Sequence, residues 1–394
     1  MENSNKRKVY LDNAATTYVN NEILTEMLPY FSGTYGNASS IHSFGREAVA
    51  VIDTARERIA SAINCEPKEV YFTSGGTEAN NWAIIGLAEA NKFKGNHIIT
   101  SAIEHHSVLD ACKELEKRGF RVTYLPVDEY GLIRFDKLLD AIDKDTILIS
   151  IVAANNEVGT IQHLQAIAQT AKEKGIIFHT DAVQAFGNFA IDVKKIGIDA
   201  MTLSAHKIYG PKGAGCLYVK RSVPIKNLIK GGNQEYGKRA GTVNVPAVAG
   251  FGKAVQIATR DMSVNVQKLR AMREYFIKRL KEEIDDVQIN GHPNQKVNGI
   301  LSVSFNYIEG ESILLMLDMQ GIAVSTGSAC TSGSLQSSHV LKAMNIPDEI
   351  AQGTIRFSFG RGTSKEDIDY TIEKLKEVVS KLRNMSPLRK RSKK

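Results

Sequence analysis

Between residues 97 and 220 the chain repeats one unit: a short, almost unbroken apolar run rich in β-branched residues, a polar cluster, then a stretch with apolar residues every three or four positions. Continuous apolar runs of this length suit strands buried on both faces, and strands alternating with amphipathic helices build a mainly parallel sheet covered on both sides. The candidate strands are His97 to Thr100, Thr146 to Ala153, Ile176 to Thr180, Asp199 to Ser204 and Gly215 to Lys220. Ile161, Leu164, Ile167 and Ala171 predict a helix between two of them, closed by Lys172, Lys174 and Gly175. Val49, Ile52, Arg56, Ile59 and Ile63 predict another, with the Arg56 stem lying along its apolar face. The expected fold class is α/β.

A chain of 394 residues exceeds the size at which a single core keeps growing, so two domains are expected. Beyond about residue 262 the pattern changes to longer helical segments mixed with strands such as Leu301 to Phe305 and Thr354 to Phe359. The last helix starts with Ser364 and Asp367 spaced as a cap and continues through Ile368, Ile372, Leu375, Val379 and Leu382 on one face. From Thr326 to Ser338, nine of 13 residues are Gly, Ser or Thr, and Cys330 lies among them. Such a segment reads as a mobile loop.

Composition removes several function classes. The longest apolar stretch, Ile147 to Ala154 with Ser150 inside it, is far below the roughly 18 residues of a membrane helix. Residues 1–8 lack the apolar region of a secretion signal, so a cytoplasmic protein is expected. The cysteines at 65, 112, 216 and 330 form no CxxC pair and no metal spacing, so reduced thiols and no bound metal are expected. Most of the formal charge of +7 sits in the tail, where Arg389, Lys390, Arg391, Lys393 and Lys394 are basic. A solvated tail is the expectation, without direct nucleic-acid binding.

In an open parallel sheet, ligands bind beyond the carboxyl ends of the strands. Here those positions are polar: Glu104-His105-His106, Asn155-Asn156-Glu157, Asp181 with Gln184, and Ser204-Ala205-His206-Lys207 follow four successive runs. They are expected to converge on one pocket. A lysine able to form a Schiff base, a carboxylate to keep a pyridine nitrogen protonated, a histidine to stack on the ring and a phosphate site are the parts that hold pyridoxal 5′-phosphate. Lys207 and Asp181 are the obvious pair. Ser74-Gly75-Gly76-Thr77, between the Val70 to Thr73 run and the helical stretch Glu78 to Asn91, offers backbone N–H groups to a phosphate. Each feature alone is commonplace: a turn, a capping aspartate, a core histidine, a surface lysine. Their joint placement at successive strand ends is something packing does not require.

The motifs Val9-Tyr10-Leu11-Asp12-Asn13-Ala14-Ala15-Thr16-Thr17, Thr73-Ser74-Gly75-Gly76-Thr77-Glu78, Glu104-His105, Asn155-Asn156-Glu157-Val158-Gly159, Asp181-Ala182-Val183-Gln184, Ser204-Ala205-His206-Lys207 and Gly327-Ser328-Ala329-Cys330 occur in order. Together they resemble the cysteine desulfurases of the NifS/IscS group, from about residue 9 to residue 361. The resemblance implies an aspartate aminotransferase-like transferase fold, with a large cofactor-binding domain at 18–262 and a small domain formed by 1–17 and 263–394. It implies that Lys207 carries the cofactor and Asp181 faces its pyridine nitrogen. His105 would stack on the ring and shuttle protons, Asn156 and Gln184 would contact the ring near its phenolic oxygen, and Gly76, Thr77, Ser204 and His206 would hold the phosphate. Thr242 resembles the residue that reaches the neighbouring subunit's phosphate, which implies a homodimer. Arg356, helped by Asn37, would bind the substrate carboxylate.

On this resemblance, L-cysteine gives L-alanine while Cys330 takes the sulfur as a persulfide. The sulfur then passes to an acceptor protein, such as an iron–sulfur scaffold or a tRNA-thiolating enzyme. Alternatives are a selenocysteine lyase or another class-V aminotransferase and, outside enzymes, a non-catalytic sulfur-transfer scaffold. Cys65, Cys112 and Cys216 are expected to be structural, Cys216 as a small buried residue of its strand.

Overall fold

The computed structural model describes residues 7–326 and 337–387. Its strands are β1 (Val9–Tyr10), β2 (Val70–Thr73), β3 (His97–Ser101), β4 (Arg121–Leu125), β5 (Thr146–Ser150), β6 (Ile177–Asp181), β7 (Ala200–Ser204), β8 (Gly215–Val219), β9 (Val287–Asn290), β10 (Ile300–Phe305), β11 (Ile322–Ala323) and β12 (Thr354–Ser358). Seven form the main sheet in the order β2-β8-β7-β6-β5-β3-β4. The contiguous set β7, β6, β5, β3 and β4 is parallel.

Strand β8 differs from the expectation. The Gly215 to Lys220 run, grouped by its apolar content with the parallel strands, runs antiparallel to both β7 and β2. Only residues 205–214 connect it to β7, too little chain for the crossover that a parallel neighbour needs. Its first residue must be small: a Cβ on Gly215 would come within 2.7 Å of the Gly75 backbone. The Thr146 to Ala153 run stops being ladder at Ser150, although the Ile151 and Ala153 N–H groups still donate to His179 and Asp181. Strand β4 lies at the sheet edge with Arg121 exposed, and its half-exposed pattern gave no continuous apolar run to recognise.

The helices follow the apolar periodicity with shifted ends. Ile161 pairs with Ala154 in an isolated bridge, and the helix it was expected to open spans Leu164–Glu173. The Ser43–Ile63 helix packs on the Val245–Arg260 helix so closely that a Cβ on Gly252 would meet the Ala55 backbone at 2.6 Å. Ser364 and Asp367 form the expected capping box of the Lys365–Met385 helix. One hydrophobic cluster fills the space around the main sheet and these packed helices. Another joins Val9 and Leu11 to Phe276, Leu280, Leu301, Phe357, Ile372 and Leu375, around the three-stranded sheet β12-β10-β9. Val297, Ile300, Val340 and Leu341 from the later part of the chain belong to the first cluster.

Arg56 does more than lay its stem along the helix. Its guanidinium is buried and paired with Glu235, both contacts at 2.8 Å, between the rings of Phe72 and Tyr236. The Glu235 carboxylate also accepts from the Phe72 N–H. Breaking one half of a buried pair strands the other charge away from water. Arg56→Leu is therefore expected to destabilise the protein by about 3–5 kcal/mol, read as a lower urea midpoint; an unchanged midpoint would show that the pair is not holding the sheet edge to residues 235–236.

Candidate active site

Because β3, β5, β6 and β7 are parallel neighbours, the residues after them share one edge of the sheet. Asp181, the last residue of β6, is 5% exposed and accepts two hydrogen bonds: 2.7 Å from Asn80 Nδ2 and 2.9 Å from the Val183 N–H. Asn80 also donates to Ser107 Oγ at 2.8 Å, and Ser107 Oγ lies 2.8 Å from His105 Nδ1. The Ser107 N–H donates to the same His105 nitrogen at 3.1 Å. With Nδ1 accepting, the neutral ring carries its proton on Nε2. Burial lowers the His105 pKa and Lys207 reinforces the shift, while Asp181 opposes it. Four side chains, Asp181–Asn80–Ser107–His105, thus form one chain of hydrogen bonds.

Lys207 closes the short 3₁₀ turn Ala205–Lys207 after β7. Its Nζ donates to the carbonyls of Ala14 and, at 2.7 Å, Ala15, and Gln184 Nε2 donates to Ala14 O at 2.8 Å. The Thr17 hydroxyl accepts from the Tyr209 N–H at 2.9 Å and donates to His206 O at 2.9 Å. The segment 14–17 is therefore laid directly over the lysine turn. A cleft beside it is lined by Asn13, Gln184, Lys207, Tyr209, Leu269 and Ser358.

A phosphate-sized anion would find donors at the start of the Gly76–Asn91 helix, whose cap position Gly75 supplies no side-chain bond to the first amides. Gly76 is close-packed, since a Cβ there would reach Val183 Cγ2 at 3.0 Å. Ser204 Oγ is buried without a partner, a donor a phosphate oxygen would satisfy. His206 Nδ1 lies 3.1 Å from Thr16 Oγ1, and burial depresses its pKa to about 4. Glu78, in the first turn, would repel an anion were it not paired with Arg239 at 2.8 and 2.9 Å. The unpartnered hydroxyl, open helix start, carboxylate and lysine fit pyridoxal 5′-phosphate.

Arg356, in β12, is 4% exposed. It donates to Asn156 O and to Asp12 Oδ1, each at 3.0 Å, while its Nε is buried without a partner. The backbone of Arg356 also pairs with Ser325. Beyond the undescribed residues, Ser338 donates to Glu157 Oε2 at 2.5 Å and caps the His339–Ala343 helix, and His339 Nε2 lies 3.0 Å from Glu104 O. One described flank of the Cys330 segment is thus fastened to the strand-end residues Glu157 and Glu104, and the other to Arg356, whose side chain reaches Asn156 O. Cys330 itself lies outside the described residues, as does most of the expected mobile loop.

The profile of class-V aminotransferases matches residues 9–371. The chain belongs to the class-V aminotransferase family. It is 51% identical over 382 residues to the cysteine desulfurase IscS of Dictyoglomus turgidum, covering 97% of both chains. It is 52% identical over 382 residues to that of Methanosarcina thermophila, covering 97% of this chain and 94% of the relative. A solved NifS-like protein superposes with a TM-score of 0.90 at 38% identity, covering 95% of this chain and all of the other.

In this class-V aminotransferase, Lys207, Asp181, Gln184, His105, Asn156, Ser204, His206, Gly76 and Arg356 lie on or beside the shared sheet edge. Two expected residues stand apart. Asn37 is exposed and its side chain accepts from the Ser39 N–H at 2.9 Å, closing its own turn. Thr242 is exposed ahead of the Val245–Arg260 helix and makes no hydrogen bond to the cradle among the described residues. The sequence reading passed over Asn80, Ser107 and Asp12 as site residues. Asn80 follows Gly76 by one helical turn, a spacing that aims it at the same pocket; Ser107 stands two residues from His105, but its contact with Asn80, like that of Asp12 with Arg356, is long-range. Glu104 and Glu157 are fully buried, and burial pushes their carboxyls up to about 8 and about 7.

Asn80→Ala removes one of two donors to the Asp181 carboxylate, worth about 1.5–3 kcal/mol for a charged acceptor. Cofactor affinity, measured by absorbance titration, is expected to fall about 10- to 100-fold; unchanged affinity would remove Asn80 from the site. Glu104 binds a proton in the folded state up to about pH 8 but, in the unfolded chain, only near its ordinary 4.5. Its contribution to stability is complete below pH 4.5 and is lost as pH rises through 8. Glu104→Gln keeps the acceptor for Ser101 and Val152 and carries no proton linkage. Its stability relative to the parent should rise between pH 5 and 8 in urea unfolding, and a pH-independent difference would refute a protonated Glu104.

Proposed function

We propose that the pocket around Lys207 carries out cysteine desulfuration: L-cysteine becomes L-alanine, and its sulfur passes through a persulfide on Cys330 to an acceptor protein. The relatives at about 50% identity over nearly the whole chain are cysteine desulfurases, and the cofactor is pyridoxal 5′-phosphate. The observation that carries the residue assignment is the shared strand edge, which unites Lys207, the Asp181–Asn80–Ser107–His105 chain and, directly or through Arg356, both described flanks of the Cys330 segment.

When bound, pyridoxal phosphate supplies an electron-accepting ring, and the protein's residues do the rest. Gly76, Thr77, Ser204 and His206 hold its phosphate; Asp181, fixed by two donors, keeps the pyridine nitrogen protonated; Asn156 and Gln184 orient the ring. Arg356 takes the substrate carboxylate, for which its unpartnered Nε is available, with Asp12 holding the guanidinium fork in place. Lys207 removes the substrate Cα proton at Nζ, and His105 offers the proton on Nε2. The Cys330 thiolate attacks the substrate sulfur: an S–S bond forms, the C–S bond breaks, and the carbon keeps the electron pair and takes a proton. Cys330 stands five residues after Ser325, so the chain can carry it no more than about 18 Å from that anchor.

The reading includes a homodimer in which Thr242 reaches the neighbouring subunit's phosphate, and Asn37 helps Arg356 with the substrate carboxylate. Leu28, Phe31, Tyr35, Ile41 and Phe44 are exposed within one short segment, Ile41 at 92%, an apolar face suited to a second copy. It includes the division into 18–262 and 1–17 with 263–394, supported by the cluster that joins Val9 and Leu11 to Phe276 and Phe357. No helix among the described residues is long and apolar enough to cross a membrane. A reactive thiol calls for the reducing cytoplasm, and the sulfur acceptor would be an iron–sulfur scaffold or a tRNA-thiolating enzyme.

Lys207→Ala is expected to lose the cofactor's covalent absorption band and at least about 10²-fold in kcat. Cys330→Ala should keep that band and form no persulfide, measured by alanine release and labelled-sulfur trapping. Full desulfuration by the Cys330 variant would overturn its assignment.

A further inference from the structure

The His106–Lys117 helix is capped by a histidine, where a small hydroxyl, carboxylate or amide residue is the usual choice. His105 stands just outside the helix in extended conformation, and its Nδ1 accepts from the Ser107 N–H at 3.1 Å. Capping needs a lone pair, so a proton on Nδ1 would strand that N–H at the helix start. The same nitrogen lies 2.8 Å from Ser107 Oγ.

Which way the Ser107 hydroxyl points is decided by Asp181. A carboxylate only accepts, so Asn80 must turn its NH2 group toward Asp181 Oδ2, at 2.7 Å. The second proton of that NH2 group goes to Ser107 Oγ, at 2.8 Å. The hydroxyl accepts there and directs its own proton to Nδ1. Asn80 keeps this orientation although its Oδ1 is left buried without a partner; reversed, the amide would set that oxygen against the carboxylate. Asn80 and Ser107 are 1% and 7% exposed, so water does not compete for these bonds.

We propose that Ser107 is a positioning residue for the reaction: it holds His105 in the tautomer whose proton is on Nε2, and the Asp181 carboxylate, acting through Asn80, sets the direction of its hydroxyl. The group that faces the pyridine nitrogen therefore also fixes which histidine nitrogen carries a proton. The inference deepens the desulfurase reading and rests on it for the use made of that proton. The ionisable groups that face His105 are Asp181 from β6, Lys207 from the 3₁₀ turn, His106 and Asp110 on its own helix, and His339 from the His339–Ala343 helix. These act through space on the charge of the ring, whereas Ser107 acts on one nitrogen by contact.

The test is nitrogen-15 NMR of cofactor-loaded protein labelled at histidine, with the His105 signals assigned by their loss in His105→Gln. The parent should show a proton on Nε2 and none on Nδ1. Removing a donor from the neutral ring favours the charged one, so in Ser107→Ala the His105 titration should move to higher pH by about 0.5–1 unit. The kcat for alanine formation should fall about 3- to 10-fold, with KM for cysteine and the cofactor band unchanged. Ser107→Thr, which keeps the hydroxyl, should restore both the titration and kcat; if it does not fold, Ser107→Ala decides. A proton on Nδ1 in the parent, or a His105 titration unmoved in Ser107→Ala, would overturn the proposal. A parent that shows the Nε2 proton and the shift in Ser107→Ala but releases no alanine would uphold the tautomer assignment and overturn the desulfurase reading.

Discussion

Parallel strands that sit side by side must all end on the same edge of their sheet, and β7, β6, β5 and β3 do so here. Each peptide N–H and C=O along these strands is satisfied by its neighbours, so the ladder stops only where the chain leaves the sheet. The groups free to do chemistry therefore collect at one rim. Lys207, Asp181, Asn156 and His105 lie far apart in sequence and become neighbours through this register alone. The turn to an antiparallel β8, over a connection too short for a crossover, leaves Lys207 in a tight 3₁₀ turn at that rim.

Burying so many polar groups would be ruinous if they were left unpaired, and most are in pairs or chains. Asp181 accepts from Asn80 and Val183, Glu78 is matched by Arg239, Arg56 by Glu235, and Arg356 by Asp12. Glu104 and Glu157 are pushed toward the protonated form, because burial outweighs the donors they accept from and, for Glu157, the nearby Arg356. Among the buried side-chain atoms left without a partner, two lie at the site itself: Ser204 Oγ in the phosphate cradle and Arg356 Nε, on the guanidinium that Asp12 holds.

The N-terminal segment makes the site depend on the whole chain. Val9 and Leu11 are packed with Phe276 and Phe357, while Ala14 and Ala15, a few residues on, receive the Lys207 ammonium. Asp12 and Asn13 lie between these anchors, one on Arg356 and the other bonded to Ser358 O at 2.9 Å. A short stretch of chain that turns over Asn13–Ala15 thus joins the second hydrophobic cluster to the lysine turn of the main sheet.

What the sequence determined by itself was local or repetitive. Apolar runs marked the buried strands, spacings of three and four marked the helices, and polar residues after the runs marked the rim, because burial imposes those patterns on neighbouring residues. Lys207, Asp181 and His105 were legible for that reason. The direction of β8, the edge strand β4, the pairing of Arg56 with Glu235 and the Asp181–Asn80–Ser107–His105 chain were settled only by the tertiary structure. Each depends on contacts between residues distant in sequence or on the length of a connection, and no periodicity records which side chains will meet across a sheet or a helix pair.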